Sequence, residues 1–264
     1  MKNLSLLNLR NLTISVGESA DAKTIVKELN FEVYPEQIVA LVGGSGSGKT
    51  TTGLSILKLL PPALCVRQGE ILFQNENLLT CREEKMRTVR GKEIGMVFQE
   101  PLNAFNPVFT IGYQIAEVFK AHAKNDLSPR QTDEKIHHLL EQVGIKDAPR
   151  IAQSYPHQLS GGLRQRAMIA QAIAAGPRLL IADEPTSNLD VTWQAHIIEL
   201  FRTLKEELKI SILLITHDLG MVAHLADSVV VLSNGKAVES GPTKDILENP
   251  KHPFTKELMD AMLI

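Results

Sequence analysis

Two periodicities divide this chain. From Leu6 to Val16, and again from Ile25 to Val42, apolar and polar positions alternate, with a polar loop, GESADAK (Gly17 to Lys23), between them. Period-two alternation rich in β-branched residues predicts half-buried strands, so this end reads as strands and a hairpin. A helical stretch, TTGLSILKLL, follows and is stopped by Pro61 and Pro62, because proline lacks the donor that would continue the ladder. EILF (Glu70 to Phe73) and IGMVFQ (Ile94 to Gln99) predict two further strands.

From about Glu100 to Gln158 the period changes to that of helices. Ile111, Ile115, Val118 and Phe119 share one helical face, and Ile136, Leu139, Leu140 and Val143 share another; the second helix opens at Ser128-Pro129 and closes at Gly144. This predicts a helical insertion of about 60 residues. Beyond Leu159 the elements alternate: a helix through Ala175, the strand LLIAD, a helix WQAHIIELFRTLKEEL, and the strands ISILLITHD and SVVVLSNG. Buried apolar strands alternating with helices imply an α/β fold with a mainly parallel sheet. Two short helical patterns, split by Asn249-Pro250, close the chain.

Composition narrows the classes. With 264 residues, 44% of them apolar and 22% charged, the chain can bury a large core, and disorder is not expected. A net charge of -2 supplies no general drive toward nucleic acid. The two cysteines, Cys65 and Cys81, lack metal-ligand spacing, which argues against a zinc or iron-sulfur site and for a reducing compartment. The N-terminus has no signal-peptide core, and the apolar runs are shorter than the roughly 20 residues that span a bilayer. Any membrane role is expected to be peripheral.

The chemistry lies at the strand ends. GGSGSGKT, comprising Gly43, Gly44, Ser45, Gly46, Ser47, Gly48, Lys49 and Thr50 and continuing to Thr51, follows the strand QIVALV and precedes a helix. That is the context of a phosphate-binding P-loop: the glycines let backbone N–H groups turn inward, Lys49 reaches the β and γ phosphates, and Thr50 ligates Mg²⁺. LLIADEP is an apolar strand ending in two acids. Beside a P-loop, Asp183 is expected to hold Mg²⁺ and Glu184 to act as general base on the attacking water. Alone, an Asp-Glu pair before proline is more often a solvated exit from a strand. His217 in ITHD and Gln99 in FQEP also end apolar strands. A lone histidine or glutamine is usually structural, but at the carboxyl edge of a parallel sheet His217 is placed to meet a γ-phosphate, and Gln99 the metal or the water.

The order of GGSGSGKT, FQEP, LSGG, DEP and THD resembles that of the ATP-binding cassette (ABC) family over essentially the whole chain. The resemblance implies a P-loop NTPase of ABC type, with an antiparallel N-terminal β-subdomain. Its parts are a nucleotide-binding core (1–99 and 159–241), a helical subdomain (100–158) and a C-terminal extension (242–264), all in one ABC ATPase domain. It also implies that Ser160, Gly161 and Gly162 cap the γ-phosphate of ATP held by a facing subunit, and that SNLD, ending at Asp190, senses the opposite site. Two domains then sandwich two ATP molecules with Mg²⁺, and hydrolysis powers transport.

EPLNAFNP, YPHQLSGG and KHPFTKELM are similar to the peptide/nickel importer branch. Membership implies two integral membrane subunits as partners, a second, non-identical ATPase subunit, and indirectly an extracytoplasmic binding protein. It places the chain on the cytoplasmic face of the cell membrane, its helical insertion receiving a membrane subunit. Gly44, where peptide importers of this branch usually carry Glu, and the missing cysteine-bearing tail tilt the cargo toward nickel or another metal complex. At the position where many cassettes stack an aromatic on adenine the sequence offers Ile14, which predicts apolar packing on the base. A soluble cassette serving DNA repair or translation is the alternative.

Overall fold

The computed structural model describes residues 4–19, 22–122, 128–187 and 190–260. Ala20 and Asp21 of the GESADAK loop, Asn188 and Leu189 of SNLD, and residues 261–264 lie outside the described residues. The chain divides into two compact units, one of residues 1–86 with 205–264 and one of residues 87–204.

The first unit begins with β1 (Leu7–Val16) and β2 (Thr24–Val33), an antiparallel pair. β3 (Ile38–Gly43) is buried at every position, as expected of a strand covered on both faces. α1 (Lys49–Ile56) follows the glycine loop. β4 (Leu64–Phe73) pairs antiparallel with β1, and β5 (Glu76–Asn77) with β4, completing the sheet β2-β1-β4-β5. The antiparallel N-terminal sheet of the sequence reading is therefore present. One detail is corrected: Ile14 is fully buried in this sheet, so it offers no surface to a base, and the apolar side chain exposed at the strand's end is Val16, at 42%. Strict alternation would put Val16 on the same face as Leu12 and Ile14, but the pairing of β1 with β2 shifts register between Ile14 and Ser15, and the pattern breaks there, with Ser15 buried and Val16 exposed.

α2 (Glu83–Thr88) leads into the second unit. There β6 (Ile94–Val97) pairs parallel with a later strand, and between them lie α3 (Pro101–Ala104), α4 (Ile111–His122), α5 (Pro129–Gln142), α6 (Ala148–Gln153) and α7 (Gly161–Ile173). Ser128 closes a capping box at α5: its hydroxyl accepts from Gln131 N–H, while the Gln131 side chain accepts from Ser128 N–H. β7 (Leu179–Asp183) is the parallel partner of β6, buried throughout, and α8 (Val191–Glu206) carries the chain back to the first unit.

In the first unit, β8 (Ser211–Thr216) pairs parallel with β3 on one side. α9 (Leu219–Leu225) precedes β9 (Ser228–Ser233), which pairs parallel with β3 on the other side. β10 (Lys236–Pro242) returns antiparallel to β9. α10 (Thr243–Glu248) and α11 (Pro253–Asp260) end the described chain. Ala40 and Val42 pack with Val229, Val231, Leu219, Val222 and Ile246, and Phe254, Leu258 and Met259 of α11 cover that cluster. Each fully buried aliphatic side chain contributes roughly 1.5–3 kcal/mol, which seats the helices on the strands that carry the glycine loop.

Candidate nucleotide site

In the first unit glycines shape the turn between β3 and α1, the stretch expected from the sequence to receive phosphate. Gly46 and Gly48 have φ of 73° and 100°, which favour glycine, and Gly48 caps α1. A Cβ on Gly43 would strike the carbonyl oxygen of Leu232, so β3 leaves the sheet only through glycine. The Lys49 ammonium donates to the Gly43 and Gly44 carbonyls at 2.8 and 3.0 Å, and the side chain is buried. Ser47 is also buried, yet its hydroxyl has no hydrogen-bond partner among the described residues. A buried orphan hydroxyl costs about 1–3 kcal/mol, and at the mouth of a P-loop a phosphate oxygen is the natural acceptor. Thr50 is exposed on the first turn of α1. Val42 pairs with Thr216, so His217, exposed just beyond β8, leaves the same carboxyl edge as the glycine loop. Asp218 next to it caps α9, accepting from Met221 N–H at 3.0 Å.

In the second unit the parallel pairing of Val97 with Ala182 brings the ends of β6 and β7 level. Gln99 is exposed past β6; Asp183 and Glu184, at 2% and 9% exposure, are buried at the end of β7. Glu184 has a φ of 47°, a left-handed conformation that costs a non-glycine residue on the order of 1–2 kcal/mol and is concentrated at functional sites. A cleft of about 250 Å³ is lined by Gln99, Gly161, Gln165, Glu184 and Ser187, among others. Three of the stretches singled out in the sequence, FQEP, LSGG and DEP, therefore meet in one cleft. Gln165 was not anticipated: it is buried, and its amide nitrogen has no partner among the described residues. Nothing local in LSGGLRQR separates that glutamine from an exposed one.

The signature stretch opens a helix. Ser160 is the N-cap of α7, its hydroxyl accepting from Leu163 N–H at 3.4 Å, and Gly161 is exposed. Arg164 steadies the approach by donating to the carbonyls of Pro156 and Leu159 at 2.9 and 2.8 Å. The first-turn N–H groups of a thirteen-residue helix and its positive dipole end make an anion-receiving surface. Asp190, after the undescribed pair, caps α8 through the N–H of Trp193 at 3.0 Å. No cluster of three acidic, histidine or cysteine side chains suited to a metal is present among the described residues. The donors assigned from sequence, Thr50, Gln99 and Asp183, include one carboxylate, a set suited to Mg²⁺ that also binds phosphate oxygens.

The family model for ABC transporters matches residues 26–187, more than half of the chain. The chain belongs to the ABC transporter family. Its relatives include the oligopeptide transport ATP-binding protein OppD of Bacillus subtilis (strain 168), 44% identical over 97% of this chain and 72% of OppD. The peptidoglycan transport ATP-binding protein YejF of Agrobacterium fabrum is 45% identical over 97% of this chain, which spans 47% of that relative, about half its length. Among solved structures, the cassette MJ0796, a dimer bound to ADP and Pi, superposes with a TM-score of 0.80 at 25% identity, covering 90% of this chain and 98% of that one. The α/β cassette fold and the ATPase class expected from the sequence both stand, and these relatives give no support to a role in DNA repair or translation.

Proposed function

We propose that this chain is the ATP-hydrolysing subunit of a membrane importer whose cargo is a peptide or a peptide-containing molecule. The observation that carries this reading is likeness over 97% of the chain to relatives named for oligopeptide and peptidoglycan transport. The cargo thus shifts toward peptides from the metal-complex tilt of the sequence.

In this reading Gly43 to Thr51 cradle the phosphates of ATP, with Lys49 on the β and γ oxygens and Val16 as the apolar contact for adenine. Thr50, Asp183 and Gln99 hold Mg²⁺, which when bound supplies charge to neutralise the phosphate oxygens. Glu184 polarises the attacking water, and His217 hydrogen-bonds the γ-phosphate. Ser160, Gly161 and Gly162 cap the ATP of a facing subunit; the dimeric state solved for MJ0796 supports a two-subunit arrangement. Hydrolysis removes the bridging γ-phosphate contacts and shifts the pair toward its open state. The partners are two integral membrane subunits, a second, non-identical ATPase, and indirectly a binding protein outside the membrane, with this chain on the cytoplasmic face. The core (1–99 and 159–241), the helical subdomain (100–158) and the C-terminal extension (242–264) divide these tasks.

Peptide uptake in cells carrying wild-type chain or Glu184→Gln tests the proposal, with ATP hydrolysis measured on the purified proteins. Glu184→Gln is expected to bind ATP normally, to lose about 10²–10⁴ in turnover, and to abolish uptake of a labelled oligopeptide while leaving nickel uptake intact. Loss of nickel uptake instead would overturn the cargo assignment. Undiminished hydrolysis would remove Glu184 from its role.

A further inference from the structure

The second glycine of the signature stretch faces an aromatic ring rather than solvent. Gly162 is buried, and a Cβ there would lie within the indole of Trp193, 2.6 Å from its Cε2 carbon. Trp193 stands in the first turn of α8, and its backbone N–H is the group that the Asp190 carboxylate caps. One residue therefore touches both stretches: its ring contacts the signature glycine, and its amide holds the last residue of SNLD.

The ring has further neighbours. The Arg166 guanidinium lies over the indole at 5.4 Å and donates from Nη1 to the Val143 carbonyl at 2.7 Å, at the C-terminal end of α5. Gly144, with φ of 78°, makes room for that guanidinium, since a Cβ there would collide with Nη1. His196 meets the ring edge-on at 5.7 Å. A desolvated cation on an indole face contributes more than an exposed one, and burial lowers the pKa of Arg166, in keeping with a partly desolvated site.

From this geometry we infer that Trp193 is a positioning residue that couples the signature stretch to Asp190 within one subunit. Displacement of Gly162 at the start of α7 pushes on the indole, and the indole carries the capped first turn of α8 with it. Arg166 sets the resting place of the ring. The inference rests on the proposed sandwich for its functional meaning: contact of Ser160 to Gly162 with a facing subunit's ATP would reach Asp190 through Trp193. The mechanical link itself needs no second subunit.

The chain has one tryptophan, so its fluorescence reports this contact directly. Gly162→Ala in the full chain is expected to shift the emission of Trp193 and to speed hydrogen exchange of the Trp193 amide about tenfold, by loosening the Asp190 cap. Trp193→Ala relieves the clash, so Gly162→Ala added to it should lower ATP turnover less than threefold, against tenfold or more in the wild-type background. Trp193→Phe should keep most activity. A far-ultraviolet circular dichroism spectrum matching wild type verifies that each variant is folded.

An unchanged Trp193 amide exchange rate and emission in Gly162→Ala would overturn the link. So would equal turnover losses in the two backgrounds. Failure of the proposed sandwich has a separate signature: Ser160→Arg, which places bulk and charge on the capping surface, would leave turnover at the wild-type level, and the exchange and emission arms would still decide the role of Trp193.

Discussion

Lys49 is tethered by the loop it serves. Its ammonium is buried and donates to the Gly43 and Gly44 carbonyls, so its charge is held against the glycine loop. A charge-assisted hydrogen bond contributes about 1.5–3 kcal/mol, so Lys49→Ala should weaken ATP affinity about ten- to a hundredfold. Titration with a fluorescent ATP analogue measures it, and affinity within twofold of wild type would exclude Lys49 as a phosphate ligand. Position 44 shows the limit of reading cargo from such a loop. A Cβ on Gly44 meets nothing within 4 Å, so the glycine is not demanded by packing, and space at that position is no argument for one cargo over another. Ile14 teaches a related lesson: alternation along a strand is legible, but which of two neighbouring apolar positions stays exposed is decided by the sheet packed against it.

At the scale of elements, α5 is the clearest case of local sequence writing local structure. Ser128-Pro129 supplies cap and first turn, Gln131 completes the capping box, and Gly144 with φ of 78° ends it. Ser128→Ala should cost about 1 kcal/mol and lower the melting temperature by about 2–4 °C; calorimetry that finds no shift would show that α5 is held by packing alone. Elements with such signals were readable in advance: the glycine loop between β3 and α1, the buried strands β7 and β8, and the capped helices. β10 was not, because as an exposed edge its residues KAVESGP carry no apolar alternation, although the Asn234-Gly235 turn before it, with φ of 49° and 80°, signals a hairpin. α9 is short, and its sequence signal is confined to Asp218 before Leu219 and Val222, which marks its start. The contact of Gly162 with Trp193 had no local signal at all, since it joins residues from two helices and exists only once both are packed.

At the scale of the whole molecule, no described helix is long and apolar enough to cross a membrane, so in the proposed importer a surface of the chain must dock on a membrane subunit. The second unit exposes a run of large apolar side chains after β6: Phe98, Leu102, Val108 at 68%, Phe109 and Tyr113, the last two rings stacked at 4.6 Å. Contiguous exposed apolar surface marks interaction sites, and the stacked Phe109 and Tyr113 rings supply such a contiguous pair. In the proposed importer their partner is a membrane subunit, and Gln99 lies within the same stretch, so docking and the cleft that contains Glu184 share one segment. Paired substitutions Val108→Asp and Phe109→Asp should place two carboxylates in the contact, and loss of central anchors of this kind costs about 2 kcal/mol or more. The membrane-bound fraction should then fall about tenfold or more in co-sedimentation with the permease pair, and peptide uptake should fall with it. ATP hydrolysis by the purified chain should stay within about twofold of wild type, because neither side chain lines the cleft. If hydrolysis collapsed while membrane binding persisted, these residues would belong to the interior of the second unit, and the docking surface would have to be sought elsewhere.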